Sequence, residues 1–275
     1  MNELQEKLLG ILRWFHAFCE KENLTYYISY GTALGAVRHR GFIPWDDDID
    51  VCMPRADYER CKDVFTSNKN QIGKYLLETP YMDASDYLYT FNKLYDTQTV
   101  LIEKSRNNCK RGIYLDIFPL DGAGDTIDDA YNYHRGIDRN HMLLMTRVCA
   151  IRKQRSIYKN FAILAARLIP NAFFDEKEWT RKIDQMARQR DYTECQYVCN
   201  YMGPYRVKEI IEKRIIGKPT IYEFEGIQLY GPEHYEEYLA HLYGDWRKLP
   251  PVEKRGIQHD FLYLNLEQSY LDCDL

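Results

Sequence analysis

The most informative segment of the chain reads Tyr30-Gly31-Thr32-Ala33-Leu34-Gly35-Ala36-Val37-Arg38-His39-Arg40-Gly41-Phe42-Ile43-Pro44-Trp45-Asp46-Asp47-Asp48-Ile49-Asp50. Residues 26–30 are β-branched and aromatic, and Gly31-Thr32 predicts a tight turn into a helix over residues 33–38. A strand that ends at Gly and begins a helix presents backbone N–H groups, which favour a phosphate. Residues 48–53 then resume the alternation of a half-buried strand.

Four carboxylates crowd the end of this segment and repel one another at neutral pH. If Asp48 and Asp50 lie on a strand, their side chains share one face with attachment points roughly 7 Å apart. Such a hard oxygen site fits Mg²⁺ or Mn²⁺ bound together with substrate phosphates. Because side chains alternate between the two faces of a strand, Asp46 would share that face and Asp47 would not. An acidic surface turn is the alternative.

A further carboxylate, Asp116, lies inside the apolar run of residues 113–118. A charge buried there is costly unless it meets a metal or a hydrogen-bond donor. The position predicts a third acid for the metal site, or else a hydrogen-bonded structural Asp. Pro119 and the turn-prone Asp121-Gly122 are expected to close this strand.

Outside these segments, the hydrophobic pattern predicts a mixed α/β architecture. Helices are expected near residues 4–19, 56–65 and 232–243, and strands near residues 87–95, 197–202 and 221–229. Residues 126 to about 190 look mainly helical. We interpret the whole chain, 1–275, as one catalytic domain of the α+β class with a basic, mainly helical insertion at about 126–195.

Positive charge is concentrated in that insertion. Residues 134–170 carry eight Lys and Arg against the single acid Asp138, so this segment has a charge of +7 in a chain whose formal net charge is -4. Three roles are open for it: a solvated helical face, a site for an anionic substrate, or a surface that rests on acidic lipid. For its apolar part, residues 161–169, the alternatives are core packing and docking on an anionic membrane.

Composition excludes several classes of protein. With 37 Lys plus Arg against 41 Asp plus Glu, the surface as a whole is not built to bind nucleic acid. The central apolar run of residues 161–166 ends at Arg167, which is too short to span a bilayer. Charges at Glu3, Glu6 and Lys7 argue against a secretory signal, so we expect a cytoplasmic protein. None of the 8 cysteines forms a Cys-x-x-Cys pair, and free thiols are expected.

Taken together, these motifs resemble the LicD family of phosphotransferases, which includes the fukutin-related proteins and has a nucleotidyltransferase-like fold. The resemblance rests on Gly31-Thr32-Ala33-Leu34-Gly35, Arg38-His39, Gly41, Ile43-Pro44-Trp45-Asp46-Asp47-Asp48-Ile49-Asp50 and Arg55-x-Asp57-Tyr58, and later on Lys93, Asp116 and the tail around Tyr243-Gly244-Asp245-Trp246, Leu249-Pro250-Pro251 and Lys254-Arg255.

This resemblance implies a transferase that takes a phosphorylated alcohol from a CDP-activated donor such as CDP-choline, attaches it to a sugar hydroxyl and releases CMP. The implied acceptor is a cell-surface glycan, a teichoic acid or lipopolysaccharide precursor, or a lipid-linked sugar, so a membrane-docked insertion would rest on the inner membrane face. The family pattern assigns donor phosphate to Gly31 and Thr32, and the metal to Asp48 and Asp50. Asp116 matches the third acid, as metal ligand or as proton acceptor.

Several other residues are candidates for binding the donor. Arg38, Lys93, Lys254 and Arg255 would neutralise the diphosphate as charge builds on the leaving CMP, or they are solvated cations. His39 and His259 are weaker candidates, since a lone His beside Arg is commonly structural. Trp45 would stack on a cytosine, a sugar or a choline ammonium, unless it simply packs.

Three other functions fit parts of the pattern. In the first, the same fold transfers the nucleotide itself. In the second, Asp46, Asp48 and Asp50 take positions one, three and five of a calcium loop with Asp57 at position twelve, although Val51 stands where that loop needs Gly. The third is a sugar transferase with an Asp-x-Asp metal site, which leaves Asp116 and the Gly-Thr turn unexplained.

Overall fold

A computed structural model describes residues 1–82, 87–104, 108–149, 151, 156–169, 174–256 and 259–273. The helices in this part are α1 (Glu3–Glu22), α2 (Tyr30–His39), α3 (Arg55–Ser67), α4 (Ile127–Val148), α5 (Ile157–Arg167), α6 (Glu176–Ala187), α7 (Lys213–Ile216) and α8 (Tyr235–Tyr243). The strands are β1 (Tyr27–Ile28), β2 (Asp50–Pro54), β3 (Gln71–Ile72), β4 (Tyr75–Glu78), β5 (Asn92–Asp96), β6 (Val100–Glu103), β7 (Lys110–Arg111), β8 (Tyr114–Gly124), β9 (Tyr197–Cys199), β10 (Ile210–Glu212), β11 (Thr220–Phe224), β12 (Ile227–Gly231) and β13 (Phe261–Asn265). Two short 3₁₀ helices cover Arg206–Glu209 and Val252–Lys254.

The main sheet is mixed and follows the order β1-β2-β8-β5-β4-β3. β2 and β8 run parallel, and the other strand pairs of the described chain are antiparallel. The second half of β8 also pairs with β9, which pairs with β10. A hairpin, β11-β12, and a three-stranded sheet, β13-β6-β7, complete the strands. The predicted α+β class with a mixed sheet and flanking helices is confirmed.

The first helix forms as its hydrophobic period predicts and also supports the acidic segment. Asn2 and Gln5 form a capping box at its start. Leu8, Ile11 and Phe15 are among the residues of its buried face. The buried Gln5 side chain donates to the carbonyls of Ile43 and Asp46, at 3.3 and 3.1 Å. The helix therefore fixes the backbone that leads into the carboxylates.

The elements around Gly31 begin elsewhere than predicted. Only Tyr27 and Ile28 pair with β2, and the helix already begins at Tyr30. Gly31 and Thr32 therefore lie in the first turn of α2 rather than in a turn before it. β2 begins at Asp50, so Asp48 precedes the strand, and the expected two-residue alternation does not govern residues 46–48.

Pro119 does not end its strand, contrary to the prediction, because β8 continues to Gly124. Along one edge of β8, pairing with β5 extends only to Ile117, opposite Asn92, and pairing with β9 starts only at Asp121, opposite Cys199. Pro119 lies in the gap between these two partners. Its missing N–H donor therefore removes no interstrand hydrogen bond on that side. On its other side it stands beside Met53 in the parallel ladder.

Other boundaries also shift. β5 begins at Asn92 instead of residue 87, and β9 ends at Cys199 instead of residue 202. The single strand expected over residues 221–229 is the hairpin β11-β12, whose turn residues Glu225 and Gly226 have φ of 48° and 76°. Paired left-handed residues of this kind suit a tight hairpin turn. The helical content expected after residue 126 is confirmed by α4, α5 and α6. Among the described residues, no helix is long and apolar enough to cross a bilayer.

Arg55 joins α3 to β8 and α6 through ion pairs with two buried acids. Its Nε and Nη2 donate to the two oxygens of Asp121, both at 2.7 Å, and its Nη1 donates to Asp184 at 2.8 Å. Removing one partner of a buried ion pair leaves an uncompensated charge. We expect Arg55→Met to lower the free energy of unfolding by about 3–5 kcal/mol.

Urea denaturation of both the parent and the variant measures this loss. Lys7→Met is the matched control, because the Lys7–Glu267 pair is exposed and its loss is expected to cost no more than about 1 kcal/mol. Equal effects of the two substitutions would contradict the importance assigned to Arg55.

Candidate active site

A row of charged side chains crosses the main sheet on four neighbouring strands. Asp50 of β2 is in register with Asp116 of β8, Asp116 with Lys93 of β5, and Lys93 with Glu78 of β4. All four residues are buried. Residues paired in register point to the same face of a sheet, so the row forms one continuous polar strip. The strip alternates acid and base except at the Asp50–Asp116 pair.

Lys93 forms the basic member of this strip. Its Nζ lies 2.7 Å from Oδ1 of Asp116 and 3.5 and 4.4 Å from the ring centroids of Tyr114 and Tyr89. Burial by itself would lower the pKa of Lys93, but the surrounding groups, among which the charge of Asp116 contributes most, together outweigh burial and raise that pKa. Burial raises the pKa of Asp116 to about 6, and Lys93 opposes this shift. Lys93 thus favours the carboxylate form of Asp116.

The three consecutive acids before β2 form a close cluster. One carboxylate oxygen from each of Asp46, Asp47 and Asp48 lies within 4.8 Å of the others. Asp47, which strand phase excluded, belongs to this cluster because residues 46–48 are not in a strand. Its two oxygens contact Nδ1 and the backbone N–H of His259, each at 3.1 Å. His259 also approaches Asp48, with Nε2 at 3.8 Å from Oδ2.

Helix α2 shapes the space around these acids. A Cβ atom added at Gly31 would lie 2.8 Å from Oδ2 of Asp46, so Gly31 leaves room for this carboxylate. Thr32 is buried, and its hydroxyl accepts the Asp50 backbone N–H at 2.9 Å. The structure therefore places Gly31 at the acidic cluster and Thr32 behind it, as support for Asp50.

The acids face a cavity of about 1110 Å³. This exceeds the roughly 300–1,000 Å³ typical of small-molecule pockets. Its wall includes an aromatic segment at 87–91, the C-terminal part of α4, and residues 202–206 and 243–250. Among the predicted residues, those that line it are Gly31, Arg38, Trp45, Asp46, Asp48, Asp50, Lys93, Asp116 and His259.

The other predicted binding residues lie outside this lining. His39 accepts from Nε of Arg38 at 3.0 Å and so supports that guanidinium, which also donates to the Trp246 carbonyl at 3.0 Å. Arg255 stacks its guanidinium over Trp45, 5.4 Å from the ring centroid. The side chain of Lys254 lies outside the described part of the structure.

Mutual repulsion and burial dominate the electrostatics of the acids. Burial raises the pKa of Asp46 to about 8, and the charges of Asp48 and Asp47 add to the shift. Burial, followed by the charges of Asp48 and Asp116, raises the pKa of Asp50 well above its usual range. Closely spaced carboxylates of this kind need a counter-cation to stay ionised together. These oxygens, with room left for them by Gly31, fit a hard divalent cation.

The cavity wall also includes Glu103, which the sequence analysis did not single out, and His259. Glu103 accepts from the Tyr114 hydroxyl at 2.7 Å, and its charge helps to raise the pKa values of Asp48 and Asp116. His259 was identified only as a weak candidate. Burial would lower the pKa of His259, but its hydrogen bond to Asp47 and the charges of Asp48, Glu103 and Asp47 together outweigh burial and raise it to about 9. No local sequence motif connects either residue to the site, because neither lies near the acidic segment in sequence.

A calcium loop of the helix–loop–helix type is not formed by residues 46–57. Asp50 and Val51 already belong to β2. Asp57, the twelfth position of that template, lies in α3 and is 2.8 Å from Nη1 of Arg60. Its other oxygen accepts the Thr25 N–H at 3.2 Å. Asp57 therefore links α3 to the backbone at Thr25 and does not belong to the acidic cluster.

Comparison with known proteins agrees with this geometry. The family described as LicD/FKTN/FKRP, nucleotidyltransferase domain, matches residues 23–145. The chain is 30% identical to the lipopolysaccharide cholinephosphotransferase LicD of Haemophilus influenzae over 94% of its own length and 96% of that protein. An uncharacterized protein of Rickettsia prowazekii is 44% identical over 50 residues, 18% of this chain and 19% of that protein. The mannosyltransferase regulator 4 of Saccharomyces cerevisiae is 27% identical over 43% of this chain and 10% of its own length. With similarity to the Haemophilus protein along nearly the full length of both, the chain belongs to the LicD family.

Proposed function

We propose that the protein is a metal-dependent phosphotransferase. It would move a phosphorylated alcohol, with phosphocholine as the leading candidate, from a CDP-activated donor to a sugar hydroxyl of a cell-surface glycan. The observation that carries this proposal is the placement of Asp50 and Asp116 side by side on the parallel pair β2-β8, facing a large cavity. The full-length similarity to a cholinephosphotransferase supports the choice of donor. Cytidine monophosphate is then the leaving group.

Asp46, Asp48 and Asp50 would hold a Mg²⁺ or Mn²⁺ ion, which would supply positive charge for the donor diphosphate. Arg38 lines the same cavity and adds a fixed cation for the charge that develops on the leaving CMP. The role of Gly31 is to leave space for the Asp46 carboxylate. Trp45 presents an aromatic surface for the cytosine, the sugar or the choline ammonium.

Asp116 is the proposed proton acceptor. The oxygen of the acceptor hydroxyl forms a bond to the phosphorus next to the alcohol, the bond between that phosphorus and the CMP oxygen breaks, and the hydroxyl proton passes to Asp116. The Lys93 ion pair engages Oδ1, and a pKa of about 6 keeps Asp116 ionised at neutral pH. Asp116 is therefore ready to accept a proton under ordinary conditions.

Magnesium affinity is expected to rise with pH. A carboxylate must lose its proton before it binds a cation, and burial raises the pKa of Asp46 to about 8. Binding below this pH therefore releases a proton, so we expect affinity to increase roughly tenfold per pH unit between about pH 6 and 8. Isothermal titration with MgCl₂ in two buffers of different ionisation enthalpy measures both the affinity and the proton release. Affinity that is constant over this range would contradict the assignment of Asp46.

The donor is tested by titrating the protein with CDP-choline, CDP-ribitol, CDP-glycerol, CTP and UDP-glucose, each with and without Mg²⁺. We expect one CDP-alcohol to bind in a Mg²⁺-dependent way and more tightly than CTP or UDP-glucose. Preference for CTP would favour nucleotidyl transfer, and preference for UDP-glucose would favour sugar transfer. Calcium binding without any response to nucleotide would overturn the enzymatic proposal.

A further inference from the structure

Helix α5 presents its apolar face outward. Ile157, Tyr158, Phe161, Leu164 and Leu168 keep 88, 73, 70, 49 and 83% of their surface exposed. Ala162 and Ala165 complete this face, and both are exposed. At about 100° per residue these seven side chains share one side of the helix, whereas Ile163 on the other side is buried. The sequence left two roles open for this segment, core packing and membrane docking. Because the apolar face is exposed, the prediction of core packing is wrong for this face.

The outward orientation is held by hydrogen bonds to the neighbouring helix. Arg147 of α4 is buried, and its Nη1 donates to the carbonyls of Ala166 and Ile169 at 2.9 and 2.6 Å. Arg167 donates back to the carbonyl of Cys149 at 2.8 Å. These contacts satisfy carbonyl groups at the C-terminal ends of α5 and of α4 with cations, which also suits the helix dipoles. The apolar face is therefore held outward by the packing of the insertion.

Charge and size indicate what this face binds. Residues 134–170 carry eight cations and one acid, and Arg135, Arg139 and Lys159 are exposed. An apolar helix face within a basic segment suits the boundary between anionic headgroups and acyl chains. A second copy of the chain is a poorer fit, since a stable protein interface uses roughly 20–30 residues a side and this face offers seven.

We infer that α5 docks on an anionic lipid surface with Ile157, Phe161 and Leu168 at the acyl boundary. α4 packs against α5, and its residues Met142 and Met145 line the cavity. Docking thus brings one wall of the cavity next to the lipid. This last step rests on the proposed function, because it would present the site to a lipid-linked sugar acceptor.

Vesicle sedimentation tests the inference without any nucleotide. The protein is mixed with vesicles of phosphatidylcholine and phosphatidylglycerol at 7:3, or of phosphatidylcholine alone. We expect binding to the anionic vesicles that falls severalfold between low salt and 0.5 M NaCl, and weak binding to the neutral ones. The double variant Phe161→Asn/Leu168→Asn is expected to lose at least tenfold in binding.

The matched control is Ile221→Asn/Leu271→Asn, which removes two apolar side chains that are 57 and 67% exposed on other segments. It should bind vesicles like the parent. No binding to anionic vesicles, equal binding to neutral ones, or a dimer in light scattering that the α5 double variant dissociates would overturn the inference. Turnover of a water-soluble acceptor by the α5 variant should equal that of the parent, so failure of docking and failure of the proposed activity are distinguishable.

Discussion

Replacing Asp50 with Asn is expected to lower turnover by about a thousandfold or more while the melting temperature stays the same or rises. Asp50 is buried beside Asp116, and the charges of Asp48, Asp116 and Asp46 all raise its pKa. A neutral amide of the same shape removes this repulsion, so the metal-free fold gains or keeps stability. The same change removes a ligand of the proposed cation and with it the charge that stabilises the transition state.

The control for this experiment is Asp63→Asn, because Asp63 is an exposed acid on α3 away from the cavity. It should leave turnover unchanged. Thermal melting at pH 8 adds a readout besides activity: Mg²⁺ is expected to raise the melting temperature of the parent and of the control, but not of the Asp50 variant. An Asp50→Asn protein with the turnover of the parent would refute the role given to this residue.

Lys93→Met is expected to lower turnover at neutral pH by about a hundredfold and to move the acid limb of the pH profile to higher pH. In the parent, Lys93 opposes the effect of burial on Asp116, whose pKa is about 6. Without the cation, the pKa of Asp116 rises further and the carboxyl group is protonated over a wider range. Activity should then be lost from the acid side and recover in part as pH rises.

Kinetics between pH 5.5 and 9 measure this effect, with circular dichroism to establish that the variant is folded. Lys93→Arg is the matched control, since it retains the positive charge beside Asp116, and its acid limb should stay within about half a pH unit of the parent's. An acid limb in Lys93→Met that coincides with that of the parent would show that Lys93 does not set the protonation of Asp116. A uniform loss at every pH would indicate only a structural role.

Much of the site was predictable because its carboxylates lie on elements with strong local signals. Asp50 and Asp116 each lie in an apolar stretch of a strand, where a charge is unusual enough to indicate function. Their pairing across β2 and β8 then follows from the shared direction of the two strands. The helices α1, α3 and α8 were likewise predicted from the hydrophobic pattern.

What the sequence missed depends on contacts between distant residues. Asp47 joins the acidic cluster because residues 46–48 form a loop, and that loop is fixed by Gln5 and by His259, the latter 212 positions away. The continuation of β8 through Pro119 depends on where β5 and β9 stop. Periodicity also cannot tell which side of α5 is covered, since that depends on how Arg147 fixes the helix.

The fate of the two halves of the donor, the choline phosphate and the cytidine, tests the central claim most directly. CDP-choline is labelled with ³²P on the choline phosphate and with ¹⁴C in the cytidine, and is incubated with Mg²⁺, the protein and lipopolysaccharide that lacks phosphocholine. We predict that ³²P enters the lipopolysaccharide while ¹⁴C is released as CMP, and that neither occurs with Asp50→Asn. Appearance of ¹⁴C in the lipopolysaccharide, or ³²P transfer that persists in Asp50→Asn without Mg²⁺, would contradict the proposed reaction.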